Sequence, residues 1–133
     1  MIVVLDTSAA IELILNRKHS AEIKKVLTNC SKIITSDLYK AEITNVFWKY
    51  VKAQLLIKTD AVSYITFAQN LIDEYYDIAP FSLECLNEAL RLKHSTDDML
   101  YLTLAKRSGG ILLTLDKKLS SLAILEGIES PLL

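Results

Sequence analysis

The sequence predicts an α/β fold in which a parallel sheet is buried between helices, and three observations support this prediction. Four short apolar runs rich in β-branched residues alternate with longer segments of helical periodicity. The runs lack the polar alternation of a strand with one solvated face, which indicates strands buried on both faces. The chain has only three glycines and two prolines, too few for the many tight turns of a β-sandwich.

The elements are expected to alternate along the whole chain. The predicted strands are Ile2 to Leu5, Lys32 to Thr35, Asp77 to Ala79 and Ile111 to Leu115. The predicted helices are Ala9 to Leu15, Ala21 to Thr28, Asp37 to Val51, Thr59 to Tyr75, Leu83 to Lys93 and Asp97 to Ser108. Right-handed crossovers between parallel strands then place helices on both faces of the sheet. Only the residues around Ser130 and Pro131 look like a loose end.

Size and composition indicate one domain over residues 1–133. A chain of 15.0 kDa with 51% hydrophobic residues and a mean hydropathy of +0.28 can bury a real core. The first six residues reach an acid without a basic segment, so we expect no signal peptide, and no apolar run is long enough to span a membrane. Cys30 and Cys85 form no metal-binding or disulfide pattern. A cytoplasmic location is expected.

The net charge of −1, from 15 basic and 16 acidic residues, lacks the basic excess that is typical of nucleic-acid-binding proteins. The acids are nevertheless unevenly placed. Asp6 directly follows the first predicted strand and Asp116 the last, so both are expected at the carboxyl edge of the sheet, where α/β proteins bind ligands. Asp77 precedes its predicted strand and is expected at the opposite edge.

Further acids are expected on helices. Glu42 lies one turn into a helix within an apolar setting, and Asp97 and Asp98 open a helix that is otherwise almost entirely apolar. A carboxylate at the start of so apolar a helix points into or beside the core, where it needs a partner. Asp98 shares a helical face with Tyr101, so Asp98 is the favoured site residue and Asp97 a supporting or solvent-facing one.

Each acid also has an ordinary structural interpretation. Asp6 alone is equally well explained as a helix N-cap, and Asp116 alone as a turn or cap residue. The segment Ser95 to Asp98 fits a capping box, and Glu42 fits a solvated helix position. Their joint placement favours a shared role. Carboxylates brought to one edge repel each other, and no basic residue lies beside Asp6 in the sequence to neutralise them. A hard divalent cation such as Mg²⁺, which prefers oxygen ligands and can activate a water, resolves this repulsion.

Other chemistries are less favoured. The two histidines, His19 and His94, are isolated and lack the spacing of a zinc site. His94 lies four residues before Asp98 but is expected to be a helix-boundary residue rather than a ligand. A dinucleotide-binding role is disfavoured because no G-x-G-x-x-G follows the first strand.

Four segments together resemble the PIN-domain family, and within it the VapC-type toxins of toxin–antitoxin pairs. These are Val4 to Ala9, Ala41 to Ile43, Asp98 to Ala105 and Leu113 to Asp116. The resemblance implies a Rossmann-like three-layer α/β sandwich with a short parallel sheet of four to five strands. It also implies an acidic quartet at Asp6, Glu42, Asp98 and Asp116, with Ser8 and Thr114 as supporting hydroxyls. Met99 departs from the small residue that usually follows the third acid.

The implied activity is Mg²⁺- or Mn²⁺-dependent cleavage of RNA by a homodimer held by a cognate antitoxin. With the four site acids set apart, 15 basic residues face 12 acidic ones, so an RNA-binding surface is compatible with the charge. Two alternatives stay open from the sequence. One is an RNA-processing nuclease without an antitoxin, and the other is a non-catalytic binding module of the same fold.

Overall fold

The computed structural model describes residues 1–132 and shows a four-stranded parallel sheet flanked by seven α-helices. The strands are β1 (Ile2–Leu5), β2 (Lys32–Ser36), β3 (Glu74–Tyr76) and β4 (Ile111–Leu113). The helices are α1 (Thr7–Ile14), α2 (Ser20–Asn29), α3 (Leu38–Lys52), α4 (Lys58–Asn70), α5 (Ser82–Leu92), α6 (Thr96–Ser108) and α7 (Lys117–Leu125). None of these helices is long and apolar enough to cross a membrane. The predicted α/β class is confirmed.

The strand order β3-β2-β1-β4 determines where a site can form. All three neighbouring pairs are parallel, with Val4 opposite both Ile34 and Leu112. The chain moves outward from β1 through β2 to β3 and then returns to β4 on the other side of β1. The crevice between β1 and β4 is therefore the point where the winding direction reverses, and open α/β sheets bind ligands at this point.

Alternation along the strands divides the core into two layers. Val3 and Leu5 of β1 pack in a cluster with residues of α1, α2, α3 and α4. Val4 of β1 faces the other way and packs with residues of α5, α6 and α7. Side chains of a strand point alternately to the two faces of its sheet, so each face of this one is covered by helices. The predicted three-layer sandwich is confirmed.

The third strand lies earlier in the chain than predicted. The structure places it at Glu74–Tyr76 rather than at Asp77 to Ala79, and α4 ends at Asn70 instead of continuing to Tyr75. The side chain of Asp73 accepts a hydrogen bond from the Ile33 amide at 2.8 Å, which ties the new strand to β2. Asp77 consequently follows its strand and lies at the carboxyl edge, contrary to expectation, where it accepts from the Ala79 amide at 3.0 Å.

The C-terminal segment is also more ordered than predicted. Helix α7 was not anticipated, and the expected loose end around Ser130 is wrong for the described residues. Ser130 is buried and its hydroxyl lies 2.7 Å from that of Ser120 on α7, while the Leu112 amide donates to the Glu129 carbonyl at 2.9 Å. The chain beyond α7 thus packs back against β4.

Candidate active site

A cleft of about 420 Å³ opens at the carboxyl edge of the sheet, at the reversal point between β1 and β4. The four acids singled out in the sequence all line it: Asp6, Glu42, Asp98 and Asp116. A larger groove of about 780 Å³ lies between α1, α2 and α4, but its lining is mainly apolar and contains no carboxylate. The chemistry of the lining therefore marks the smaller cleft as the candidate site.

Asp6 is fixed by the start of α1. Its Oδ1 accepts a hydrogen bond from the Ala9 amide at 3.0 Å and another from the Ser8 hydroxyl at 2.7 Å. The side chain is therefore a helix N-cap, as the ordinary interpretation predicted, and it also lines the cleft. Burial raises the pKa of Asp6 from 3.8 to about 6, although hydrogen bonds from Thr114, Ala9 and Ser8 oppose the rise.

Ser8 and Thr114 join the ends of β1 and β4. The Ser8 hydroxyl, which donates to Asp6, accepts from the Leu115 amide at 2.9 Å and lies 3.4 Å from the Thr114 hydroxyl. The Thr114 hydroxyl in turn accepts from the Asp116 amide at 3.0 Å. Ser8 and Thr114 thus link the ends of β1 and β4 beside Asp6 and Asp116.

Asp116 repeats the arrangement of Asp6 on the neighbouring strand. It caps α7, since its Oδ1 accepts from the Leu119 amide at 3.0 Å. The partial positive charge at the start of a helix favours a carboxylate there. Two adjacent parallel strands are therefore each followed by an aspartate, directly after β1 and three residues after β4, and one oxygen of each aspartate is occupied by a helix cap.

Glu42 reaches the cleft from α3 and is held by two hydroxyls. Its Oε1 accepts hydrogen bonds from Thr7 at 3.1 Å and from the hydroxyl of Tyr101 on α6. Burial raises the pKa of Glu42, and the Tyr101 and Thr7 hydrogen bonds counteract part of that rise. The side chain is half-buried and hydrogen-bonded to two hydroxyls, which excludes the solvated-helix interpretation.

Asp98 lines the cleft. Asp97 does not line it, and its side chain is exposed to solvent. The predicted capping box is not formed, because Ser95 occupies the N-cap position of α6 without a side-chain cap hydrogen bond. The Asp98 carboxylate contacts the His94 imidazole instead, with Oδ2 2.6 Å from Nε2. His94 lies at the boundary between α5 and α6, as expected, and its side chain, which is 8% exposed, also contacts Asp98.

The four acids lack the basic partners that other carboxylates of this protein have. Within residues 1–132, no lysine or arginine forms a salt bridge with any of them. Glu88 and Glu126, by contrast, share Arg91 and Lys106, with Arg91 lying 2.9 Å and Lys106 2.7 Å from Glu126. Uncompensated carboxylates in a partly buried cleft favour binding of a cation.

The donor set fits a divalent metal ion. In the described part of the chain, one group of three side chains offers ligand atoms within 4.8 Å of one another, and it consists of His94, Asp98 and Asp116. Asp6 and Glu42 lie in the same cleft and add further carboxylate oxygens. Carboxylates suit Mg²⁺ and Mn²⁺, and an imidazole is compatible with Mn²⁺.

The sequence did not identify four further residues that line the cleft, nor the contact between His94 and Asp98. Thr7 and Tyr101 hold Glu42, and Glu12 is a further buried carboxylate whose Oε2 accepts from the His19 amide at 3.0 Å. Arg17 is the one basic residue among the described residues that line the cleft. The position of Tyr101 three residues after Asp98, on the same helical face, was the one signal that could have identified it.

The fold and the cleft together define a class of protein: a doubly wound α/β domain with an acidic site at the reversal point of its parallel sheet. The chain matches the PIN-domain family over residues 3–125, and it belongs to that family.

Individual relatives agree with this assignment. The chain is 30% identical to ribonuclease VapC3 of Pyrobaculum aerophilum over 129 residues, which cover 90% of this chain and 93% of the relative. Its fold is similar to the crystal structure of PAE2754 from Pyrobaculum aerophilum, with a TM-score of 0.73, 22% identity and coverage of 90% and 77% of the two chains. It is also similar to VapBC2 from Rickettsia felis bound to a promoter DNA fragment, with a TM-score of 0.63, 18% identity and 86% coverage of each chain.

Proposed function

We propose that this protein is a Mg²⁺- or Mn²⁺-dependent endoribonuclease and the toxin of a type II toxin–antitoxin pair. The observation that carries the proposal is the cleft itself, where Asp6, Glu42, Asp98 and Asp116 converge and, among the described residues, no lysine or arginine forms a salt bridge with them. Membership of the PIN-domain family and the similarity to a VapC ribonuclease support the same activity.

The four acids are proposed to hold the metal. Asp6 and Asp116 each have one oxygen occupied by a helix cap, so the carboxylate orientation is set before any ion binds. Glu42 is oriented in the same way by Thr7 and Tyr101. A bound Mg²⁺ supplies Lewis-acid chemistry and lowers the pKa of a water, which is what phosphodiester hydrolysis at neutral pH needs.

The supporting residues act on the acids rather than on the substrate. Ser8 and Thr114 bridge β1 and β4, so they keep Asp6 and Asp116 at a constant separation. Asp97 is exposed next to the site, and its negative charge adds to the rise in the pKa of Glu42. Preorganised ligands avoid the cost of assembling the site when the metal binds.

Arg17 is proposed to bind the RNA backbone. Its guanidinium donates a hydrogen bond to the Tyr50 hydroxyl at 2.5 Å and lies 5.8 Å from the centre of the Tyr50 ring. The side chain is exposed and lines the cleft, so a phosphate entering the site meets one positive group close to the acids.

An antitoxin partner and a homodimer are part of the proposal. The similarity to VapBC2, a toxin–antitoxin complex by name, supports the antitoxin. Exposed apolar side chains are available for both contacts, with Trp48 on α3 55% exposed, Phe67 on α4 51% exposed and Leu90 on α5 69% exposed. Large apolar side chains at the surface favour protein interfaces.

Brief expression followed by sequencing of cellular RNA ends tests the proposed function. The wild type should create new RNA ends and arrest growth, whereas Asp6→Asn should do neither. Asp37→Asn is the matched control, because Asp37 follows β2 at the same edge but is exposed and lies outside the cleft. New RNA ends and growth arrest with Asp6→Asn at the wild-type level would contradict the proposal.

A further inference from the structure

His94 lies beside two of the site acids, although the sequence favoured a helix-boundary role for it. Its imidazole, the Asp98 carboxylate and the Asp116 carboxylate offer three ligand atoms within 4.8 Å of one another. The His94 side chain is 8% exposed, and its Nε2 lies 2.6 Å from Oδ2 of Asp98. The nearly buried imidazole therefore contributes to the acid cluster and not to the protein surface.

The connection between α5 and α6 holds His94 in this position. Helix α5 ends at Leu92, and Lys93 adopts the left-handed conformation with φ 54° and ψ 47°. The His94 amide then donates to the Ala89 carbonyl at 3.1 Å, which closes the end of the helix. Glycine is favoured at such a position, so a lysine there accepts a conformational cost of about 1 kcal/mol. One residue after His94, Ser95 begins the cap of α6, which places Asp98 one turn away.

We propose that His94 is a direct ligand of the divalent metal ion together with Asp98 and Asp116, and that its nitrogen makes the site prefer Mn²⁺ to Mg²⁺. This inference rests on the proposed function, since it assumes that the acids of the cleft hold a metal. It goes further by adding a ligand outside the acidic quartet and by specifying which ion is preferred.

The geometry and the donor chemistry both support ligation. His94 Nε2 and Asp98 Oδ2 form a hydrogen bond of 2.6 Å, and two neighbouring ligands at ~2.1 Å from an octahedral ion lie ~3 Å apart. A small increase in this separation would therefore allow an ion to replace the shared proton. Imidazole nitrogen suits transition metals, whereas Mg²⁺ prefers oxygen ligands and binds imidazole poorly. A site with one nitrogen and two carboxylate donors should therefore discriminate between the two ions.

His94→Gln separates ligation from hydrogen bonding. The glutamine amide can still donate to Asp98, and its oxygen can still meet a hard ion, but the variant lacks the imidazole nitrogen. The protein is first freed of metal and then titrated calorimetrically with Mn²⁺ and with Mg²⁺. Compared with the wild type, the variant should bind Mn²⁺ about tenfold more weakly, while its affinity for Mg²⁺ should change by less than about threefold. An equal loss for both ions would overturn the proposal, because a residue that only positions Asp98 affects them alike.

Pulsed electron paramagnetic resonance of bound Mn²⁺ gives a readout that does not depend on activity. The wild type should show nitrogen coupling from a directly ligated imidazole, and His94→Gln should lose it. His19→Gln is the matched control, since His19 is the only other histidine in the chain and, unlike His94, does not belong to the group of ligand atoms around Asp98 and Asp116. Mn²⁺ binding without nitrogen coupling would overturn the role of His94 alone, whereas failure of the wild type to bind Mn²⁺ would overturn the proposed function as well.

Discussion

The hydroxyl of Tyr101 donates a hydrogen bond to Oε1 of Glu42 and so joins α6 to α3 within the cleft. The Thr7 hydroxyl lies 3.2 Å from the same Tyr101 oxygen and also donates to Glu42. Burial and the neighbouring Glu42 carboxylate raise the pKa of Tyr101, so its hydroxyl stays protonated and remains a donor. Glu42 is thus an ionisable group whose orientation depends on an aromatic side chain far away in the sequence.

Removing that hydroxyl should impair the site more than the fold. Tyr101→Phe keeps the ring but withdraws a donor from a half-buried carboxylate, so we expect a loss of about tenfold or more in RNA cleavage. The free energy of unfolding should fall by about 1–3 kcal/mol in urea denaturation.

Tyr39→Phe provides the comparison for this prediction. The Tyr39 hydroxyl is buried and donates to the Ala68 carbonyl at 2.8 Å, outside the cleft. This variant should lose a similar amount of stability and keep its cleavage rate. Equal cleavage by Tyr101→Phe and the wild type would show that Glu42 does not depend on Tyr101.

The buried charge of Asp6 predicts how the metal-free protein responds to pH. The folded-state pKa of about 6 lies above the ordinary value of 3.8, so between these two pH values the folded state holds a proton that the unfolded state has lost. Stability in EDTA should therefore fall as pH rises from about 4 to 6, by up to about 3 kcal/mol from this group.

Asp6→Asn should remove most of this pH dependence. The amide oxygen can still accept from the Ala9 amide, so the helix cap is retained. In thermal unfolding with EDTA, the variant should be more stable than the wild type at pH 7 and similar to it at pH 4. If the variant is less stable than the wild type at pH 7, the Asp6 charge does not destabilise the metal-free protein.

The Ser8 bridge between β1 and β4 should contribute measurably to stability. Ser8→Ala leaves the Leu115 amide without its acceptor and Asp6 without one donor, which should cost about 1–3 kcal/mol in denaturant unfolding. Ser63→Ala is the control, because that hydroxyl is exposed and bonds only within its own helix. Similar small losses for the two variants would argue against a special role of Ser8.

Arg17 should affect RNA binding without affecting metal binding. In an Asp6→Asn background that prevents cleavage, Arg17→Gln should weaken RNA binding and reduce the slope of log affinity against log salt concentration by about 1. Lys18→Gln removes an equally exposed positive charge at the next position and should change affinity little. Fluorescence anisotropy with a labelled RNA measures the affinity and its salt dependence for each variant. Identical salt slopes for Asp6→Asn with and without Arg17→Gln would exclude a phosphate contact.

The fold was largely predictable because buried parallel strands leave a strong local pattern. The runs Ile2 to Leu5 and Ile111 to Leu113 are apolar throughout, and both faces of each are buried in the structure. The edge strand β3 leaves no such pattern, since Glu74–Tyr76 is only half-buried. Its position is set by pairing with β2, including the ion pair between Lys32 and Glu74, and this pairing is a long-range property.

The site was predictable only in part for a similar reason. Asp6 and Asp116 follow strands, so chain direction alone places them at one edge. The contact between His94 and Asp98 depends on the left-handed turn at Lys93. A lysine seldom adopts this conformation, and the surrounding sequence does not predict it. Likewise, the contact between Glu42 and Tyr101 joins two helices on opposite faces of the sheet, which periodicity within either helix cannot reveal.

Cleavage of an unstructured RNA oligonucleotide by the purified protein, freed of metal beforehand, tests the central claim most directly. The account predicts no fragments in EDTA, fragments after addition of Mn²⁺ or Mg²⁺ to the wild type, and none with Asp6→Asn under the same conditions. Asp37→Asn should cleave at the wild-type rate. Fragments that form in EDTA, or that form equally with Asp6→Asn, would contradict a metal-dependent ribonuclease site at the edge between β1 and β4.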